Sequence, residues 1–136
     1  MTIREYTRYD AGEILPLYEA VGWVNYTRHP EGLEQAYRHS LLTLAAYEDE
    51  RLAGILRAVG DGCSVVLIQD LLVHPDWQRR GIGAALLREA VARFENVYQL
   101  ELMTDDRPGT VAFYRSLGFR RASEFGCAAF LKMNAE

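Results

Sequence analysis

Cysteine is scarce in this 136-residue chain: Cys63 and Cys127 are the only two. They are far apart, so they make neither a disulfide framework nor a metal-ligand spacing, and two reduced thiols are expected. No His/Cys/Asp/Glu cluster has metal spacing, so no metal is expected. Positive charge is not in excess: 15 Lys and Arg against 19 Asp and Glu leave a net charge of −4. Nucleic-acid binding as the main role therefore has no support. No apolar run is long enough to span a bilayer, and Met1–Tyr6 does not read as a secretory leader. The expectation is a cytoplasmic protein with no membrane partner. Two nucleotide-binding signatures are missing as well. A P-loop ends in Gly-Lys-Ser/Thr, whereas Gly83 is followed by Ala84-Ala85. A dinucleotide fingerprint needs a third glycine where Leu86 stands, and a tight strand-to-helix turn where His74–Arg80 intervene. Only Glu101 falls near the place of a ribose-binding acid.

What is present suits one globular domain over residues 1–136, with 49% hydrophobic and 25% charged residues. Residues 2–7 alternate as a strand. Ile14, Leu15, Leu17, Tyr18 and Val21 have helical spacing over 11–21, and Gly22 ends that run. Residues 22–30 read as an aromatic-rich loop, 31–40 as a second helix, and 42–47 with 51–59 as a hairpin. A buried strand follows at 65–73, then a helix over 81–95, a strand over 97–103 and a helix over 108–117. Proline at its start and Gly118 at its end suit that last helix. Two closing strands are expected at 120–124 and 128–133. The near-continuous apolar character of 65–73 predicts a strand covered on both faces.

The segment after that strand is the most telling. Gln78-Arg79-Arg80-Gly81-Ile82-Gly83 joins it to an amphipathic helix. A helix N-terminus offers N–H groups without intrahelical partners and a partial positive charge. Two glycines clear side chains away, and two arginines add charge, so the turn suits a pyrophosphate. The plainer alternative is a helix start whose glycines serve only the turn.

The stretch from Asp70 through Leu71, Leu72, Val73, His74 and Pro75 to Gln78, Arg79, Arg80, Gly81, Ile82, Gly83 and Ala84 resembles the acetyl-CoA signature of the GNAT superfamily of N-acetyltransferases. Downstream, Phe113-Tyr114-Arg115-Ser116-Leu117-Gly118-Phe119 resembles that family's second motif. The order of elements along the whole chain is similar to a small GNAT domain. The resemblance implies an α/β (α+β) fold with a mixed sheet of about six to seven strands, flanked by about four helices and splayed between the fourth and fifth strands.

It also implies a site. The backbone of Leu71, Leu72 and Val73 would pair with the pantetheine arm of acetyl-CoA as an added strand. Gln78, Arg79, Arg80, Gly81, Ile82, Gly83 and Ala84 would form the pyrophosphate turn. Whether Arg79 or Arg80 touches a phosphate or is surface charge stays open. Tyr114 matches the tyrosine that protonates the departing CoA thiolate, a workable step between a phenol and a thiol. A backbone N–H near Val73 would hold the thioester oxygen. Where many members carry an asparagine ahead of the tyrosine, this chain has Arg107, so CoA contact from that position is not carried over.

The base is open between several groups. Asp70 interrupts an apolar strand and needs a partner there or a role in the acceptor site. Asp105 either caps the following helix or serves as base. Glu101 is a sheet-face charge or an acceptor-side group, and His74 stands at the strand exit. Trp23 and Tyr26 either wall the acceptor pocket or plug the core. The expected acceptor is a primary amine of a small molecule, with a peptide amine as the other choice. The activity expected is direct acetyl transfer in a ternary complex; the alternative is a non-catalytic acyl-CoA sensor. A homodimer through an edge strand near 128–133 fits the pattern, though no residue there requires it.

Overall fold

The computed structural model describes residues 1–134, which form two compact units, Met1–Met103 and the chain from Thr104 onward. In the first unit the order is β1 (Thr2–Glu5), α1 (Ala11–Ala20), α2 (Val24–Thr27), α3 (Pro30–Arg38), β2 (Leu42–Glu48), β3 (Arg51–Gly60), β4 (Val65–Val73), α4 (Ile82–Arg93) and β5 (Gln99–Leu102). The strands make one sheet in the order β1-β2-β3-β4-β5. The first three pairings are antiparallel, and β4 with β5 is parallel.

The two faces of the sheet are covered by different helices. Ile14, Leu17 and Tyr18 of α1 and Leu33 and Tyr37 of α3 pack with Ala45, Ile55 and Leu72. Side chains alternate along a strand, so Gly54 points to the opposite face from Ile55. There α4 comes so close that a Cβ on Gly54 would stand 3.2 Å from both Ile82 Cγ2 and Leu86 Cδ1. Ile82, Leu86, Leu87 and Ala90 form the buried stripe of α4. The expectation of helices on both faces is met.

Two irregularities shape β4. Arg57 pairs with Asp70 but Ala58 pairs with Ile68, so Gln69 is an extra residue, a β-bulge. The pairing with β5 involves only Val65–Ile68. Among the described residues, the β5 side of β4 has no strand partner from Gln69 to Val73, which is the expected splay between the fourth and fifth strands.

The second unit contains α5 (Pro108–Ser116) and a 3-10 turn at Ala122–Phe125. Gly118 closes α5 with φ +95°, and the Phe119 amide donates to the Tyr114 carbonyl at 3.1 Å. The sheet has five strands among the described residues, not six to seven. In place of a strand at 120–124 the chain makes the 3-10 turn at Ala122–Phe125, with the Arg121 amide donating to Glu124 Oε2 at 2.9 Å and the Glu124 amide donating to the Arg121 carbonyl at 3.0 Å. Residues 128–133 take no strand pairing. The expected loop at 22–30 also contains one short helical turn, α2.

Candidate active site

The β4 strand exit and the turn into α4 are built from unusual backbone. Pro75–Trp77 form a 3-10 turn, with His74 Nδ1 accepting from the Asp76 amide at 3.1 Å. The Gln78 side chain folds back and donates to the Val73 carbonyl at 3.0 Å, tying the turn to the strand end. Arg79 then has φ +66° and Gly81 φ +82°. A left-handed conformation at a non-glycine residue is uncommon and costs of order 1 kcal/mol or more. At Gly81 the lack of a Cβ removes that cost. Gly81 is the N-cap of α4, and no side chain caps this helix. The first-turn amides of Ile82, Gly83 and Ala84 thus have neither an intrahelical acceptor nor a capping carboxylate or hydroxyl. This is a cradle for an anion, continuous with the unpaired β4 edge at Leu71–Val73.

A second cluster surrounds Asp70, which is 1% exposed. Arg57 Nε donates to its Oδ2 at 2.7 Å, and the Tyr18 hydroxyl donates to the same oxygen at 2.8 Å. The Tyr18 and Tyr37 hydroxyls are 2.8 Å apart, and Arg57 Nη1 donates to Ser40 Oγ at 3.3 Å. The other carboxylate oxygen, Oδ1, accepts from the Tyr26 hydroxyl at 3.3 Å. The Tyr26 hydroxyl in turn accepts from Gln69 Nε2 at 3.4 Å. Burial pushes the Tyr18 and Tyr37 hydroxyls well above the ordinary phenol range. Both therefore stay neutral donors near neutral pH. Burial disfavours the charge on Arg57, yet the Asp70 carboxylate outweighs it and raises its pKa.

The short helix α2 brings Tyr26 to this network. Its ring lies 5.2 Å from that of Tyr18, edge to face, and 6.3 Å from that of Trp23. Trp23 is 38% exposed. The two rings therefore form a half-open aromatic wall beside Asp70 rather than a sealed core plug. Trp23, Tyr26 and Asp70 come together as one cluster. Arg57, Tyr18, Tyr37 and Ser40 are partners that residue-by-residue reading passed over. One signal was available: a lone arginine inside the apolar strand Leu52–Val59, as anomalous as Asp70 in its own strand.

Glu101 lies on β5 opposite Leu67, with its side chain exposed. Tyr114 and Asp105 belong to the second unit. The Tyr114 ring packs edge-on to Phe113 and Phe119, at 5.0 and 6.0 Å. Burial raises the Tyr114 pKa, the Asp105 carboxylate adds to that, and the Thr104 hydroxyl opposes it. Asp105 accepts from the Arg107 amide at 3.0 Å, just ahead of α5. That bond and one from Thr110 hold its pKa below the usual carboxylate value. Asp106 pairs with Arg121 at 2.7 Å. Cys63 and Cys127 are both free thiols at exposed positions. Among the described residues no group of three or more His, Cys, Asp or Glu is placed to hold a metal ion. No helix among them is long and apolar enough to cross a membrane.

Comparison with known proteins places this architecture. The family model described as "Acetyltransferase (GNAT) domain" matches residues 19–134. A GNAT-family acetyltransferase from Streptococcus pneumoniae is 41% identical, with a TM-score of 0.88 over 99% of this chain and 98% of that one. A GNAT-family acetyltransferase from Brucella melitensis, solved in complex with acetyl-CoA, is 25% identical, with a TM-score of 0.69 over 88% of this chain and 82% of that one. The chloroplastic serotonin N-acetyltransferase 2 of rice is 33% identical over 122 residues, 85% of this chain and 59% of that protein. Against the first curated relatives, the chain spans 63%, 58% and 63% of their length. With the family model matching most of its length, and with a sheet splayed beside an uncapped helix start, the chain belongs to the GNAT family of acetyltransferases.

Proposed function

We propose that this protein is an N-acetyltransferase that moves the acetyl group of acetyl-CoA to a primary amine of a small molecule, by direct attack within a ternary complex. The observation that carries this reading is the unpaired edge of β4 from Gln69 to Val73 leading into the uncapped first turn of α4. The edge offers peptide groups to the pantetheine amides. The turn offers free amides, the helix dipole and the arginines at 79 and 80 to the pyrophosphate. Acetyl-CoA bound to the Brucella relative supports the same ligand here.

In this scheme the neutral amine attacks the thioester carbonyl, its developing oxyanion meeting an amide near Val73. The new N–C bond forms as the C–S bond breaks, and the Tyr114 hydroxyl gives its proton to the departing thiolate. Trp23 and Tyr26 wall the acceptor, a face suited to an aromatic or alkyl ammonium. The rice relative, named for serotonin acetylation, supports an arylalkylamine as the first acceptor to try.

Asp70 acts through Tyr26. Protonating Asp70 itself would strand the buried Arg57 charge, so its role is to hold the Tyr26 oxygen toward the ammonium, while the proton that the nitrogen gives up passes to solvent water and the Tyr114 phenolate regains one from the same solvent. Asp105, held ionised, attracts the ammonium rather than taking its proton, and Glu101 is a further acceptor-side carboxylate. The two exposed thiols suit a reducing cytoplasm. A homodimer is part of this reading.

The test is release of CoA thiol from acetyl-CoA with arylalkylamines, polyamines, amino acids and lysine peptides, with acetyl-CoA binding measured on the same sample. Turnover with a small amine supports the proposal. Tight acetyl-CoA binding without turnover on any class would replace it with a binding role, and no binding would end it.

A further inference from the structure

Consecutive residues of a strand point to opposite faces of the sheet. Gln69 and Asp70 depart from that pattern. Asp70 lies opposite Arg57 and Ile68 opposite Ala58, so Gln69 has no partner of its own on β3. The bulge re-aims its side chain onto the face that Asp70 occupies. Both side chains then reach one atom, the hydroxyl oxygen of Tyr26.

The protons around that oxygen have one arrangement. Asp70 is ion-paired with Arg57, and a carboxylate only accepts, so the single Tyr26 proton goes to Asp70 Oδ1 at 3.3 Å. The Tyr26 oxygen can then only accept from Gln69, which turns the Nε2 side of its amide toward it at 3.4 Å. Two acceptors are left over within the first unit: the second lone pair of the Tyr26 oxygen and Gln69 Oε1. With Nε2 3.4 Å from the phenol oxygen, amide bond lengths put Oε1 about 4–5.5 Å from it. Two acceptors about 2.9 Å from one tetrahedral nitrogen stand about 4.7 Å apart. The pair therefore fits two N–H groups of one nitrogen.

We propose that Gln69 is a specificity-determining residue for the acceptor: its Oε1 and the Tyr26 oxygen each take one N–H of a primary amine, beside the Trp23 ring. This role rests on the acceptor site proposed above and adds to it the group that counts N–H bonds. Both acceptors are neutral, and the Asp70 charge is matched by Arg57, so they hold the nitrogen without a strong pull to keep it protonated. Once the ammonium has lost one proton to solvent, its two remaining N–H groups stay on these oxygens. The nitrogen lone pair is then free for the thioester carbon. A nitrogen with two methyl groups has a single N–H even as a cation. It satisfies one acceptor and leaves the other facing a methyl group, which a site built for hydrogen bonds rejects.

Calorimetry of the full chain with CoA present, near neutral pH, tests this with phenethylamine and N,N-dimethylphenethylamine. The unaltered protein should bind the primary amine about tenfold more tightly or better, the size of one hydrogen bond to a charged group. Gln69→Met and Gln69→Ala both remove the acceptor oxygen. Each should cut the preference to about threefold or less, through weaker binding of the primary amine. Gln69→Glu supplies an acceptor oxygen again and should keep the preference. Lost packing alone would weaken both amines alike. An unaltered preference in whichever of the Met and Ala variants keeps the far-ultraviolet spectrum would overturn the assignment. So would equal binding of the two amines, or binding of neither, by the unaltered protein. Release of CoA thiol from acetyl-CoA is measured separately: a preference without turnover would remove the enzyme reading and leave this one standing.

Discussion

Arg57 and Asp70 face each other across the β3–β4 pair, Nε 2.7 Å from Oδ2, with side chains 5% and 1% exposed. The β-bulge at Gln69 falls next to this pair. The pairing of β4 with β5 ends at Ile68, just before the bulge, while the ion pair holds the bulged strand to β3. A charge pair placed there fixes the register where an apolar strand could slip by two residues.

Removing one partner should be costly. Arg57→Met leaves the Asp70 carboxylate buried with only tyrosine hydroxyls for company, and a loss of about 3–5 kcal/mol is expected. Urea unfolding monitored by circular dichroism measures it. The double change Arg57→Met with Asp70→Leu should recover most of the loss, because no lone charge remains. If the double variant is as unstable as the single one, the penalty lies in packing and not in the unpaired charge.

At Gly81, φ of +82° makes any side chain strained, although a Cβ there would meet nothing within 4 Å. Gly81→Ala should therefore act on local backbone geometry, about 1 kcal/mol, and not through a clash. The expected outcome is weaker acetyl-CoA binding, by about tenfold in calorimetry, with the melting temperature lowered by only about 4 °C. Unaltered affinity would mean that the first turn of α4 does not hold the pyrophosphate.

Tyr114→Phe keeps the ring that packs on Phe113 and Phe119 and deletes the hydroxyl. A general acid of this type contributes on the order of 10²- to 10⁴-fold. The variant should lose kcat by at least tenfold at neutral pH and keep its acetyl-CoA affinity. An unchanged kcat would move the proton donor elsewhere.

Stability should fall in alkali. Burial raises the pKa of Tyr18 and Tyr37 above the phenol value, so in the folded state both keep their protons when the unfolded chain has lost them. Their contribution is complete below pH about 10, the unfolded value. Above it the unfolded state binds fewer protons, and stability drops by roughly 1.4 kcal/mol per pH unit for each such tyrosine. Urea midpoints between pH 9 and 11.5 should bend downward near pH 10, and Tyr37→Phe should flatten the bend.

Much of the first unit was legible because its signals are local. The spacing of Ile14, Leu17 and Tyr18 marks α1, and the two short strands around Glu48-Asp49-Glu50 mark the hairpin. The Gln78–Gly83 turn marks the start of α4. The acetyl-CoA signature also carried the family, and with it the splay. The closing strands expected at 120–124 and 128–133 do not appear among the described residues, because a strand is defined by its partner. Residues 128–133 have the composition of a strand and no neighbour to bond, while at 120–124 a local Arg121–Glu124 bond favours a 3-10 turn.

The sequence by itself determined the order of elements, the glycine turn ahead of α4 and the family, since periodicity, glycine placement and charge act over a few residues. The tertiary structure alone decided that Asp70 is satisfied by Arg57, Tyr18 and Tyr26 and not left open to solvent. Those four residues come from four different elements, and only strand register and helix packing bring them within hydrogen-bond reach. A buried carboxylate needs partners; which residues supply them is settled by the fold.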